Sequence, residues 1–190
     1  SSVRRRLDEM GVGSRSRGPK GSRILPHHEL TEADLREMYL EQKLSIPQIA
    51  ELSGWGRYPV AATNLVQPGS PDAVPAMVAG RTGAIARGNG RAYGDAAIGE
   101  ETTVSLRGLD RMRAFDPATG WLTVEAGVTL AEIVEAFLPR GFFPAVVPGT
   151  QFVTVGGMIA ADVHGKNHHR DGGFGDHVTE LDLLLPDGTR

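Results

Sequence analysis

The sequence contains no cysteine, which excludes disulfides and thiolate metal sites and leaves the redox compartment unread. It has no apolar run of the length that a membrane-spanning helix needs. No signal peptide is visible, and the chain opens on Ser1 rather than Met. A strong excess of one charge is missing too. The formal net charge is -3, which argues against a dedicated nucleic-acid protein. These absences leave a cytoplasmic or membrane-associated location open. Glycine, by contrast, is plentiful: 25 residues point to tight turns and close backbone approaches. An apolar fraction of 40% is enough for a packed core, and 190 residues suit one or two domains.

The charge is unevenly placed. Arg4, Arg5, Arg6, Arg15, Arg17, Lys20 and Arg23 crowd the start against only Asp8 and Glu9. Residues 1–28 therefore read as a basic, flexible segment, with Gly, Ser, Arg and Pro dense over 11–28. Residues 29–54 read as a helical hairpin. Thr31 caps its first helix, with Glu32 and Asp34 suiting the dipole and Leu35, Met38 and Tyr39 on one face. Ser45 caps its second helix, whose apolar face is Ile46, Ile49, Ala50 and Leu52. This segment resembles the first two helices of a bacterial helix-turn-helix module. A recognition helix would have to follow Gly54, where Gly56 and Pro59 interrupt the chain. A plain hairpin is thus the preferred reading, and the change of character at Gly54-Trp55 suggests a fusion joint.

From residue 64 the pattern is α+β. Strands are expected over Asn64–Gln67, Gly83–Arg87 (buried) and Thr102–Leu106. A hairpin is expected from Arg113–Asp116 and Trp121–Ala126 across Pro117-Ala118-Thr119-Gly120. Ser70 is expected to cap a helix over Asp72–Ala79, and Thr129 one over Leu130–Leu138. Val153–Ile159 and Glu180–Leu185 complete the apolar segments.

Three stretches carry possible chemistry. In the first, a strand leaves Ala86 into a loop with three glycines, whose N–H groups could turn inward on an anion, a pyrophosphate above all. No Gly-Lys-Ser follows and no helix opens directly after it, so it is neither a Walker loop nor a dinucleotide fingerprint. A loop of this kind is by itself more often a plain turn. The second stretch is Pro148-Gly149-Thr150 followed by Thr154-Val155-Gly156-Gly157. Its paired glycines would admit a flat ligand close to backbone, or equally a helix start packed on a sheet. The third runs from Asp162 through His164, Gly165 and Lys166 to His168 and His169. Adjacent His168 and His169 point apart on regular backbone, so no metal is expected.

Together these stretches resemble the FAD-binding domain of the vanillyl-alcohol-oxidase, or PCMH, type. The resemblance covers Gly54–Arg190 and rests on WGR, ARGNGRAYGD, VEAGVTL, VPGTQFVTVGG and HGKNHH. The last motif narrows it to members that oxidise C2 of a polyprenylphosphoryl ribose by hydride transfer to flavin. The implied fold is the first lobe of such a domain, over 55–190, preceded by the short helix-turn-helix-like segment. Ala86, Arg87, Gly88, Asn89, Gly90, Arg91, Ala92, Tyr93, Gly94, Asp95 and Ala96 would wrap the FAD pyrophosphate. Gly149, Thr154, Val155, Gly156 and Gly157 would line the path of the adenosine diphosphate and the ring. Ala161, Asp162, Val163 and His164 would lie near the flavin, with His164 and Tyr93 as candidate catalytic residues. Members with covalent flavin often carry a His in the glycine loop. Gly90-Arg91-Ala92 stands there instead, so the implied FAD is noncovalent. Close relatives tend to have Ser at the position of Ala92.

The resemblance also places a second half of the FAD domain and a substrate-capping domain beyond Arg190, so the chain is expected to be incomplete and inactive alone. It implies a lipid-linked sugar as substrate and a short-chain reductase as partner, with no nucleic acid. The competing reading is a helix-turn-helix DNA-binding regulator joined to a degenerate flavin domain. A related sugar or alcohol oxidase would differ only in its substrate.

Overall fold

Ile49–Ser53 forms a strand, β1, that pairs antiparallel with β2, Val60–Val66, from Ile49 opposite Asn64 to Ser53 opposite Val60. The expected second helix is therefore wrong over Ile49, Ala50 and Leu52. Helix propensity is a weak prior, and a continuous ladder outweighs it. The pairing also crosses the expected joint. A Cβ on Gly54 would stand 2.5 Å from the carbonyl oxygens of Ala92 and Gly94, so only glycine fits there. Trp55 N–H donates to the Ala92 carbonyl at 2.8 Å. The computed structural model describes residues 49–57, 59–185 and 187–189. The basic segment 1–28, the helix expected from Thr31 and the cap expected at Ser45 lie outside these residues.

The chain divides into two compact units. The first takes the described residues up to Val66 with Gly80–Ala86 and Ala92–Val104, and the second takes Gln67–Ala79, Arg87–Arg91 and Ser105–Arg190. A four-stranded sheet has the order β1-β2-β4-β3, with β3 at Ala84–Arg87 and β4 at Thr102–Ser105. β2 and β4 are parallel, Asn64 opposite Thr102. In the first unit Val60, Ile98 and Val104 are buried together with Thr63, Thr102 and Thr103. The buried hydroxyls are satisfied: Thr103 donates to Thr63 at 3.1 Å and accepts from Gly99 N–H at 2.9 Å. β3 was expected to be buried, but it is an edge strand and Ile85 is 37% exposed.

In the second unit, Pro71–Ala73 makes a 3-10 turn into α1, Val74–Val78. Ser70 takes the extended geometry of a cap, yet its side chain makes no capping bond. β5, Met112–Phe115, and β6, Leu122–Val124, form the expected hairpin. Asp116 fixes its turn by accepting from Ala118 N–H at 2.9 Å and from the Thr119 hydroxyl at 2.7 Å. α2, Leu130–Phe137, begins with a capping box of Thr129 and Glu132 and buries Leu130, Ile133 and Phe137 on one face. A 3-10 turn over Leu138–Arg140 and left-handed Gly141 end it. α3 is Val155–Ala160 and α4 is His168–Asp171. Thus Val153–Ile159 is chiefly a helix start, while Glu180–Leu185 forms no regular element and leaves Leu181, Leu183 and Leu185 exposed. The core comprises Val128, Leu130, Ile133, Phe137, Val155 and Met158, with the Phe115 ring 4.5 Å from Phe137 and 4.8 Å from Phe142.

Glu132 joins this capping box to Arg107, whose guanidinium lies 3.1 Å from its carboxylate. Burial alone would raise the Glu132 carboxyl, but the hydrogen bonds from Arg107 and from the Thr129 N–H and hydroxyl bring it down to about 2. A lowered carboxyl pKa stabilises the fold above the ordinary value of 4.5, and that stabilisation fades as pH falls toward 2. Glu132→Gln is expected to cost about 0.5–1 kcal/mol at neutral pH, a modest figure because the pair is partly exposed. Thermal melts of the two proteins should converge by the acid end of that range; a constant gap across it would contradict the ion pair.

Candidate functional site

Two threonine-capped helices begin side by side in the second unit, and each covers the other's orphan donors. Thr129 and Thr154 form an antiparallel bridge. In α2, Leu130 N–H donates to Val153 at 3.0 Å and Ala131 N–H to Gln151 at 2.9 Å. In α3, Val155 N–H donates to Val128 at 2.8 Å and Gly156 N–H to Ala126 at 2.9 Å. Glu132 N–H and Gly157 N–H each end on the hydroxyl of their own cap, at 3.2 Å. Helix N-termini commonly receive anions through free N–H groups. At Val155, Gly156 and Gly157 those groups are already engaged, so these residues can offer a ligand only their backbone surface.

The glycine loop lies against this start. A Cβ on Gly88 would collide with the Thr154 hydroxyl, and one on Gly90, at φ +65°, would collide with the Arg87 guanidinium. Both positions therefore require glycine. Asn89 Nδ2 donates to the Phe152 carbonyl at 2.8 Å, and the Arg91 guanidinium sits 5.5 Å from the centre of the Phe152 ring. Among the described residues, no protein hydrogen bond engages the N–H groups of Gly88, Asn89 or Gly90. Burial lowers the pKa of Arg87 from its usual value, yet a guanidinium keeps its charge at neutral pH. Consecutive open N–H donors beside a half-buried cation, with no room for side chains, fit a diphosphate. Phe152 escaped the sequence reading, because nothing in its neighbours signals that Asn89 and Arg91 both close on it.

Ala161, Asp162, Val163 and His164 leave the end of α3. Asp162 adopts φ 39°, and its carboxylate accepts from Gly175 N–H at 3.1 Å. His164 bridges to Gly173, and its ring lies 5.2 Å from that of His168. Together with Phe143, Val147, Gly149 and Lys166, these two histidines line an open groove of about 780 Å³. Asn167, also absent from the expected set, holds the groove wall by donating to Ala145 at 2.9 Å and to Asp171 at 2.7 Å. The structure thus brings the loop Arg87–Arg91 together with Phe152 and Thr154, and Gly149 together with His164. Ala86, Ala92, Tyr93, Gly94, Asp95 and Ala96 belong to the first unit. There Tyr93 is 80% exposed, Gly94 takes φ +57° and the Asp95 carbonyl accepts from Ile98 N–H at 2.8 Å.

Residues 62–190 match the family model described as FAD binding domain. The chain is 41% identical over 143 residues to decaprenylphosphoryl-beta-D-ribose oxidase of Mycolicibacterium smegmatis, covering 72% of this chain and 31% of that protein. It is 32% identical over 104 residues to D-2-hydroxyglutarate dehydrogenase of Escherichia coli, covering 54% of this chain and 10% of that one. Among solved structures it is similar to alkyldihydroxyacetonephosphate synthase, with a TM-score of 0.61 at 20% identity, over 84% of this chain and 34% of that one. That likeness supports the α+β fold. The chain spans at most about a third of the length of these relatives.

A valine at Gly88 would have to displace Thr154 or lift the loop away from it. In a completed enzyme, Gly88→Val is expected to abolish flavin retention while the far-ultraviolet circular dichroism stays close to that of the parent. Purified variant protein as yellow as the parent would refute the loop assignment.

Proposed function

The chain belongs to the FAD binding domain family, and from that premise we propose that it serves an FAD-dependent oxidoreductase acting on the C2 hydroxyl of a polyprenylphosphoryl ribose. The observation that carries the substrate reading is the 41% identity with the Mycolicibacterium smegmatis ribose oxidase. The cofactor is FAD, which when bound supplies a two-electron acceptor for a CH–OH group. In this reading the N–H groups of Gly88, Asn89 and Gly90 would hold the diphosphate, with Arg87 beside them. Gly149, Val155, Gly156 and Gly157 present bare backbone to the cofactor. Ala161–His164 would flank its reactive end, with His164 facing the sugar. A polyprenyl phosphate needs both apolar and cationic contacts, and the groove at His164 combines Phe143 and Val147 with Lys166. A short-chain reductase would take up the oxidised sugar. No described helix is long and apolar enough to cross a membrane. The regulator reading loses part of its second helix to β1.

Anaerobic mixing of the completed, FAD-loaded enzyme with a polyprenylphosphoryl ribose should bleach the flavin, while D-2-hydroxyglutarate should not. Bleaching by the hydroxy acid alone would transfer the protein to the dehydrogenase branch.

Attachment of the flavin is proposed to be noncovalent, because Arg91 occupies the loop position at issue and the sequence has no cysteine to form a thioether. Acid precipitation should leave all flavin in the supernatant. Flavin fluorescence on the denatured polypeptide in a gel would refute this.

A further inference from the structure

We propose that Asp162 is the positioning residue that aims His164, a role that rests on the reading of His164 as lining the substrate site. α3 ends in a Schellman motif: Val163 N–H donates to Met158 at 3.0 Å and Asp162 N–H to Ile159 at 3.0 Å. The residue between α3 and the departing chain must be left-handed, a position that glycine fills without strain. Asp162 occupies it at φ 39°. An L side chain is costly there, so a helix stop alone would favour glycine.

What Asp162 has and glycine lacks is a carboxylate. Oδ1 accepts from Gly175 N–H at 3.1 Å, and a Cβ on Gly173 would stand 2.7 Å from the same oxygen. The turn Gly172–Asp176 is thereby held against Asp162. A second carboxylate braces it from inside, since Asp176 accepts from Gly173 N–H at 2.9 Å. This turn is the partner of the segment that carries His164: Phe174 N–H donates to Val163 at 2.8 Å, and Gly173 bridges to His164. One residue thus directs the chain out of α3 with its backbone and anchors the opposing turn with its side chain. His164 follows two positions later.

Stability and positioning make opposite demands on this residue, so they can be separated. Asp162→Gly removes the left-handed strain and should leave the melting temperature equal to or above that of the parent. The same change removes the anchor. In the FAD-loaded protein, hydrogen exchange at the Phe174 amide should then speed up by about tenfold, the loss expected for one hydrogen bond to a charged acceptor. The rate of flavin reduction per bound FAD should fall by a similar factor. Asp162→Asn tolerates the left-handed backbone and keeps an acceptor oxygen, so it should recover most of both. Parental Phe174 protection in Asp162→Gly would overturn the proposal, as would lost protection combined with a parental rate. A parent whose flavin is not reduced by a polyprenylphosphoryl ribose would defeat the functional reading alone, since the exchange measurement decides the anchor without substrate.

Discussion

The bridge between Thr129 and Thr154 brings two helix starts into register, and each supplies the carbonyls that the other's first N–H groups need. A short helix gains little from its own hydrogen bonds, because its first turn leaves donors without partners. Here α2 and α3 resolve that problem reciprocally, and each uses a threonine hydroxyl for the remaining donor. Their apolar faces then meet: Leu130, Ile133 and Phe137 from α2 pack with Val155 and Met158 from α3. The burial of such side chains is worth about 1.5–3 kcal/mol each, enough to fix both helix starts. Arg107 and Glu132 extend the arrangement by tying the Thr129 cap back to Gly127.

That constraint spends the donors of Val155, Gly156 and Gly157, whereas no protein hydrogen bond among the described residues engages the N–H groups of Gly88, Asn89 and Gly90. The same Thr154 hydroxyl that caps α3 leaves no room for a side chain on Gly88. The loop is fixed further by Asn89 and Arg91, which take hold of the carbonyl and the ring of Phe152. A rigid loop with open donors loses little entropy on binding a diphosphate, and a floppy one would lose more. At the other end of α3, Asp162 carries the chain on toward His164 and the groove. The short helix therefore connects the glycine loop to the groove at His164, with one polar residue at each end doing two tasks.

Local chemistry made much of this legible in advance. Thr129 ahead of an apolar stripe reads as a helix cap, and the structure adds Glu132 to make it a capping box. The Asp116 turn and its hairpin also follow from residue type alone. The glycine loop was visible as a place where backbone approaches something closely. The family motifs, spread from WGR to HGKNHH, led to the FAD binding domain family, which the match over residues 62–190 bears out.

The rest depended on partners remote in the chain. Ile49–Ser53 has the composition of a helix end, and only the ladder offered by Val60–Val66 made it a strand. Arg87 looked like the end of a buried strand, but β3 is an edge, and whether a strand is central is a property of the whole sheet. Gly156 and Gly157 read equally well as a ligand surface or a helix start. The carbonyls of Val128 and Ala126 decided that their region begins a helix whose donors are already engaged. Asp162 gave no local sign of its left-handed backbone, since the turn that its carboxylate anchors lies at Gly173–Gly175. The sequence by itself determined the Thr129 cap and the Asp116 turn, because each is set by neighbours within a few residues, whereas the demand for glycine at Gly54 and Gly88 comes from Ala92, Gly94 and Thr154. The tertiary structure decided which N–H groups remained open, because a donor is spent or left free by carbonyls that folding brings from elsewhere in the chain.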